Sequence, residues 1–272
     1  MVTWPAVGLG FLLAIAVAFA ACRLRSLTGR GAAAAVVVGG LTFGVGGPLA
    51  GALLLLFFVS STLLSNLGER NKSGVAAGFE KGSRRDDGQV LANGGAAALL
   101  SVAYGIWRDP LALAGLVGAL AAVTADTWST EVGVLARRPP RLVTTWREVA
   151  AGTSGAVTPE GLLAGAAGAA LIGVSAWLGA GRPALVGAAI VGGVLGSLVD
   201  SLLGATAQAM YFCPTCRRQT ERHPLHGCGT PTTRSRGLPW LRNDAVNVAA
   251  SLTGAAAALV WLAAAAPIPG VS

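Results

Sequence analysis

Apolar residues in this chain fall in long unbroken runs rather than in the stripes, three or four residues apart, that mark a half-buried soluble helix. A helix needs about 20 such residues to cross a bilayer. Eight segments approach that length: Trp4–Cys22, Gly31–Val45, Leu49–Leu64, Val90–Trp107, Leu111–Asp126, Pro159–Leu178, Pro183–Gly204 and Asp244–Ala266. Gly46-Gly47-Pro48 joins the second segment to the third, and this pair fits either a full hairpin or a re-entrant one. The pattern predicts an all-α, polytopic membrane protein of about eight transmembrane or re-entrant helices, forming a single integral-membrane domain over residues 1–272. The first run has neither a basic leader nor a small-residue cleavage site, so it reads as a retained helix rather than a signal peptide.

Composition agrees: 53% of the residues are hydrophobic and only 12% charged, with a mean hydropathy of +0.64, where soluble proteins carry roughly a quarter charged residues. The 39 glycines suit close helix packing in lipid. In a soluble protein the net charge of +8 would suggest nucleic acid as a partner. Here its placement explains it. With the N-terminus outside, Arg108 and Arg182 are the only two of the 20 Lys and Arg residues left outside. The chain is thus expected in the cell membrane with its polar loops, and its chemistry, on the cytosolic side.

One stretch carries the strongest chemical signal. Ala125-Asp126-Thr127-Trp128-Ser129-Thr130-Glu131-Val132-Gly133 sets two carboxylates and three hydroxyls directly after an apolar run. An unpaired carboxylate at the centre of a bilayer costs about 2.5–3.5 kcal/mol on insertion scales, so acids kept at such a place imply something bound, paired or hydrated nearby. On an ideal helix Asp126 shares a face with Ser129 and Thr130, while Glu131 lies over Thr127 and Trp128. If both acids serve one ligand, the helix is expected to end or unwind between them. The plainer alternative is a helix end whose acids meet the interface.

Two more spans add acids at the same depth. Gly196, Asp200, Gly204 and Gln208 recur every four residues along the seventh run, and Asn243, Asp244, Asn247 and Ser251 form a polar stripe at the start of the eighth. Asn93-Gly94-Gly95 sits one turn inside the fourth, where it serves either a close helix crossing or a backbone that touches substrate.

The loops on that side are basic or glycine-rich. Ser65 to Asp87 contains five basic residues, among them Lys72, Lys81, Arg84 and Arg85, spaced by glycines. Such a loop holds phosphates, or lies solvated beside anionic lipid. Gly152-Thr153-Ser154-Gly155-Ala156-Val157-Thr158-Pro159 leads into a helix start, with Thr158 as N-cap and Pro159 at N1. Glycine loops feeding helix N-termini bind phosphate. No Gly-Lys-Ser/Thr follows at Walker spacing, which excludes the soluble P-loop mechanism. Acids gathered beside phosphate-ready loops suit Mg²⁺-dependent phosphoryl transfer, in which one or two carboxylates and the phosphates share the ion. A proton or cation transporter would bury its acids nearer the midplane and has no need of Arg-rich and Gly-rich loops on one side.

In the loop 209–242, Cys213, Cys216, His226 and Cys228 offer a tetrahedral Cys₃His zinc site, with His223 close by in sequence. Free thiols are the alternative. Cys22 lies at a helix end and reads as packing.

Taken together, Gln89-Val-Leu-Ala-Asn93-Gly94, Asp126-Thr-Trp-Ser-Thr-Glu131, Gly152-Thr-Ser-Gly155-Ala-Val-Thr158, Asp200-Ser-Leu-Leu-Gly-Ala-Thr206-Ala-Gln208 and Asn243-Asp244-Ala-Val-Asn247 resemble an integral-membrane family, formerly of unknown function, that includes the plant phytyl-phosphate kinases and many prokaryotic relatives. The resemblance implies phosphoryl transfer from CTP or a related nucleotide to an isoprenyl monophosphate such as phytyl or geranylgeranyl phosphate, giving the diphosphate. In that scheme Asp126, Glu131, Asp200 and Asp244 hold Mg²⁺. Lys72, Lys81, Arg84, Arg85, Asn93, Thr127, Ser129, Gly152, Thr153, Ser154, Gly155, Thr158, Gln208, Asn243 and Asn247 bind the phosphates. Two rivals remain: a cytidylyltransferase forming a CDP-lipid, and a lipid-phosphate or ion transporter that consumes no nucleotide.

Overall fold

Most of the helices begin with the chemistry that starts one. In the computed structural model, which describes residues 2–67 and 84–265, α1 (Trp4–Arg23), α3 (Pro48–Asn66), α5 (Pro110–Gly133) and α6 (Pro159–Ala180) each carry proline in their first turn, where its missing N–H is no loss. Asp86 caps α4 (Asp87–Trp107) in a reciprocal capping box with Gln89, and Thr158 caps α6 by accepting from the Gly161 N–H at 3.0 Å. The remaining helices are α2 (Gly29–Gly44), α7 (Ala184–Thr206) and α8 (Asn243–Ala265). Seven of these eight are long and apolar enough to cross a membrane; α2, at 16 residues, is the short one.

The turn at Gly46-Gly47 decides between the two hairpin geometries. A Cβ on Gly46 would come within 2.6 Å of the Ser101 Cβ, and Val45 packs on Gly105, two residues before the end of α4. The α2–α3 hairpin therefore reaches as deep as α4 does.

α5 is the central element. All residues from Ala112 to Ala125 are buried, and the helix packs on α3, α4, α6, α7 and α8. Small residues permit this. Where α5, α7 and α8 converge, a Cβ on Gly192 would lie 2.6 Å from the Gly254 carbonyl and 3.1 Å from the Gly118 Cα; backbones this close leave no room for a side chain. The Asn93-Gly94-Gly95 step stays helical, and Gly94 serves a close crossing, since a Cβ there would meet Val38 Cγ1 at 2.7 Å.

Among the described residues, five short strands lie at one end of the bundle. β1 (Arg141–Leu142) pairs antiparallel with β2 (Ala156–Val157), framing the glycine loop. β3 (Met210–Cys213), β4 (Arg218–Thr220) and β5 (Thr233–Arg236) form a sheet in the order β4-β3-β5, both pairs antiparallel. The hydropathy runs gave no sign of these strands, which are only two to four residues long, although β3 buries Met210, Tyr211 and Cys213.

Candidate active site

At the strand-bearing end a polar cavity of about 340 Å³ opens between the C-terminal turns of α5 and α7 and the N-terminal turns of α4, α6 and α8. Asp126, Glu131 and Asp200 all line it. The helix does not unwind between the first two, contrary to the sequence expectation: α5 runs unbroken to Gly133. The cavity instead wraps around its last two turns. Five residues rotate a helix by about 140°, so Asp126 faces the acids described below while Glu131 turns the other way and accepts from Ser65 Oγ at 2.6 Å.

Asp126, Asp200 and Glu221 bring negative charge to bear on one another, and Asp200 Oδ2 is buried with no hydrogen-bond partner among the described residues. Half-buried acids lining one cavity are stable with shared protons or a cation between them, and carboxylate oxygens are hard donors suited to Mg²⁺.

Glu221 had no sequence signal. It lies in a polar run of the 209–242 loop and reaches the cavity through the fold of that loop. Gln208, at the end of α7, donates from Nε2 to Glu221 Oε1 at 3.0 Å and accepts from Ser154 Oγ at 2.7 Å. Arg236 donates to the Gly204 and Ala205 carbonyls at 2.8 and 3.1 Å, capping α7. Burial lowers the pKa of its guanidinium, and the charge of Glu221 opposes that shift.

The glycine loop forms another wall, with Gly152, Thr153, Ser154, Gly155 and Thr158 all on the cavity. Gly155 has φ +80°, and a Cβ there would meet the Ser201 carbonyl at 2.5 Å, so no other residue fits. Arg85, Gln89 and Asn93 line the side next to α4; Thr127, Ser129, Gln208, Asn243 and Asn247 complete the set that the sequence pointed to. Burial holds Arg85 down at about 10, with the charge of Glu131 opposing.

Other expected members lie elsewhere. Asp244 is one residue, or about 100°, around α8 from Asn243 and is not on the cavity wall; Ser251 is fully buried in the bundle. Arg84 is exposed and donates to the Leu27 carbonyl at 3.2 Å. Lys72 and Lys81 lie outside the described residues.

In the β3–β5 sheet the ligand atoms of Cys213, Cys216, His226 and Cys228 lie within 4.8 Å of one another. Cys213 Sγ is 3.6 Å from Cys228 Sγ, which is 3.1 Å from His226 Nδ1. A tetrahedron of about 2.3 Å Zn–S bonds has edges of about 3.8 Å, so the group is close to a metal's size. Hydrogen bonding with Thr230 and then His226 holds the Cys228 thiol down at about 5, while bonding with Cys228 pushes Cys216 up to about 11. His223 is not part of the cluster; its ring stacks on Tyr211 at 4.3 Å.

Comparison with known proteins places this architecture. The family described as Integral membrane protein DUF92 matches residues 12–255. Protein PGR of Arabidopsis thaliana is 33% identical over 258 residues, covering 85% of this chain and 87% of its own. Protein VTE6, chloroplastic, of the same plant is 27% identical over 231 residues, covering 83% and 62%. A membrane protein of Methanocaldococcus jannaschii is 40% identical over 153 residues, covering 56% and 63%. No solved structure matches significantly. By the family match over nearly its whole length, this chain belongs to the DUF92 family of integral membrane proteins.

Proposed function

We propose that this protein transfers the γ-phosphoryl group of a nucleoside triphosphate, CTP in the first instance, to an isoprenyl monophosphate such as phytyl or geranylgeranyl phosphate. The observation that carries the reading is the meeting of Asp126, Asp200 and Glu221 in one cavity with the Gly152–Ser154 loop and Arg85. The likeness to the phytyl-phosphate kinase motifs, and to the relative named VTE6, supports the acceptor. The positive-inside pattern supports a cavity open to the cytosol, because Arg108 and Arg182 lie at the opposite helix ends.

In this mechanism an ionised oxygen of the acceptor monophosphate attacks the γ-phosphorus. A new P–O bond forms as the bond to the β–γ bridging oxygen breaks, and the nucleoside diphosphate leaves. The acceptor is already ionised, so no general base is needed. Backbone N–H groups and hydroxyls of Gly152–Ser154 orient the donor phosphates, and Arg85 with Asn93 and Gln89 receives the acceptor phosphate. Asp126, Asp200 and Glu221 would hold Mg²⁺, which supplies neutralisation of the phosphate charge. Glu131, turned to Ser65, sets the field at Arg85. Cys213, Cys216, His226 and Cys228 would hold Zn²⁺ as a structural ion, which would fix the Glu221-bearing loop.

The test uses purified protein with Mg²⁺, γ-labelled or α-labelled CTP, and a panel of prenyl monophosphates. γ-Label in a lipid diphosphate, abolished by Asp126→Asn in folded protein, is the expected result. α-Label in the lipid would instead establish a CDP-lipid synthase, and neither label in any lipid would overturn nucleotide chemistry.

A further inference from the structure

A second concavity adjoins the polar cavity. It lies among α1, α2, α3 and α4, and its walls are apolar almost throughout: Val17 and Ala18 of α1, Ala35 and Phe43 of α2, Leu54 and Phe58 of α3. Among the described residues its polar members are Arg85, Gln89 and Asn93, all on the α4 side, and these line both spaces. From Ala35 to Phe43 it follows α2 for about 12 Å. Its enclosed part is small, about 80 Å³, so it is a groove rather than a chamber.

Arg85 is built into the junction. Its backbone N–H donates to the Ser26 carbonyl and its carbonyl accepts from the Thr28 N–H, both at 3.0 Å, which pins it to the α1–α2 turn. Its Nη1 donates to Thr62 Oγ1 at 2.8 Å, and the guanidinium lies 5.3 Å from the Phe58 ring centroid and 5.9 Å from that of Phe57. A cation with its stem among aromatic rings, at the point where an apolar groove opens into a polar cavity, is matched to an amphiphile with an anionic head.

We infer that the groove between α1, α2, α3 and α4 holds the hydrocarbon chain of the isoprenyl monophosphate, which runs from its phosphate at Arg85, Gln89 and Asn93 toward Phe43 and Leu54. This rests on the proposed acceptor and adds its path. The two substrates then approach from different sides: the lipid from the α1–α4 half of the bundle, the nucleotide along the glycine loop. Because the groove is shallow, the chain keeps one side in the bilayer, and the protein takes the acceptor from the membrane without extracting it.

The test is photolabelling of full-length protein in nanodiscs, without nucleotide, by geranylgeranyl monophosphate carrying a diazirine at the far end of its chain. Label is expected in α2 and α3 near Phe43 and Leu54. Excess unlabelled geranylgeranyl monophosphate should suppress it at least tenfold, and geranylgeraniol or phosphatidylglycerol should not. Arg85→Gln and, separately, Ala35→Trp, which fills the groove while leaving the polar cavity intact, should each reduce labelling about tenfold in inserted protein. Label spread evenly over lipid-facing helices, or equal competition by phosphatidylglycerol, would overturn the assignment. Correct labelling without phosphoryl transfer from any nucleotide would leave the groove standing and remove the kinase; transfer with diffuse labelling would do the reverse.

Discussion

Gln208 Nε2 donates to Glu221 Oε1 at 3.0 Å, joining the chain just past the end of α7 to the Cys-rich loop. Gln208 also accepts from Ser154, so one side chain connects a cavity acid to the glycine loop. Glu221→Gln keeps the size and a partner for Gln208 but removes the charge. If Glu221 holds metal, kcat falls by more than the roughly 10–100-fold seen when a residue that merely supports a metal ligand is lost, while expression and insertion are unchanged. Gln208→Ala should mainly raise KM for the nucleotide, because Ser154 loses its tether. Steady-state kinetics on both variants separate the roles, and an unchanged kcat in Glu221→Gln would take that residue out of the site.

Asp200 sets stability against function. Its Oδ2 is buried without a partner among the described residues, beside the negative charge of Asp126 and Glu221. Asp200→Asn removes like-charge repulsion, and in Mg²⁺-free detergent it should stabilise the protein by about 1–2 kcal/mol, raising Tm by a few degrees. The same variant should lose turnover. A lowered Tm would mean that the carboxylate is held by protein contacts rather than kept for a cation.

The Cys₃His cluster should release its metal on acidification. Cys228 has a folded pKa of about 5, below the ordinary thiol value of 9. The stability it confers is full above pH 9 and lost as pH falls through about 5, and protonation of the ligands competes with metal in the same direction. Bound zinc, counted by elemental analysis after equilibration, should stand near one per chain at pH 7.5 and fall away between about pH 6 and 5. Cys213→Ser should lose the ion at all pH values. Protein purified without any metal at neutral pH contradicts the assignment.

Gly254 tests the bundle. A Cβ there would meet the Ala122 Cβ at 2.5 Å and the Gly118 carbonyl at 2.6 Å, against backbone that has nowhere to move. Overpacking of this kind costs about 1–3 kcal/mol. Gly254→Ala should lower Tm in detergent and broaden the size-exclusion peak, whereas Gly95→Ala, with nothing near its Cβ, should change neither.

The helices were legible because a bilayer demands long apolar runs, and the start of α6 because Thr158 and Pro159 act locally; the Asp86 cap of α4, ahead of the apolar run that opens at Val90, was not read. The Asp126, Asp200, Asn243 and glycine-loop grouping was legible for a related reason: polar groups in apolar runs stand out. Glu221 did not, since an acid among polar residues has no contrast, and its place depends on strand pairing between Cys213 and Arg218 and on a cross-chain bond to Gln208. The continuity of α5 past Asp126 was misjudged because sequence rules treat a ligand as a point on one helix face. A cavity that wraps the helix end collects both faces. Asp244 is absent from the cavity lining for the converse reason, as a stripe seen at four-residue spacing still leaves its neighbour turned aside.

Burial of α5 on every side from Ala112 to Ala125 bears on how the proposed transfer would proceed. A close-packed helix cannot slide or tilt without shearing all of its contacts at once, so Asp126 and Glu131 keep a fixed depth throughout turnover. Whatever opens and closes around substrates then belongs to the peripheral segments at the cavity mouth, the β1–β2 pair and the β3–β5 sheet. Hydrogen exchange during turnover should change in those strands and leave α5 silent, as in a machine whose anvil stays still while the hammer moves.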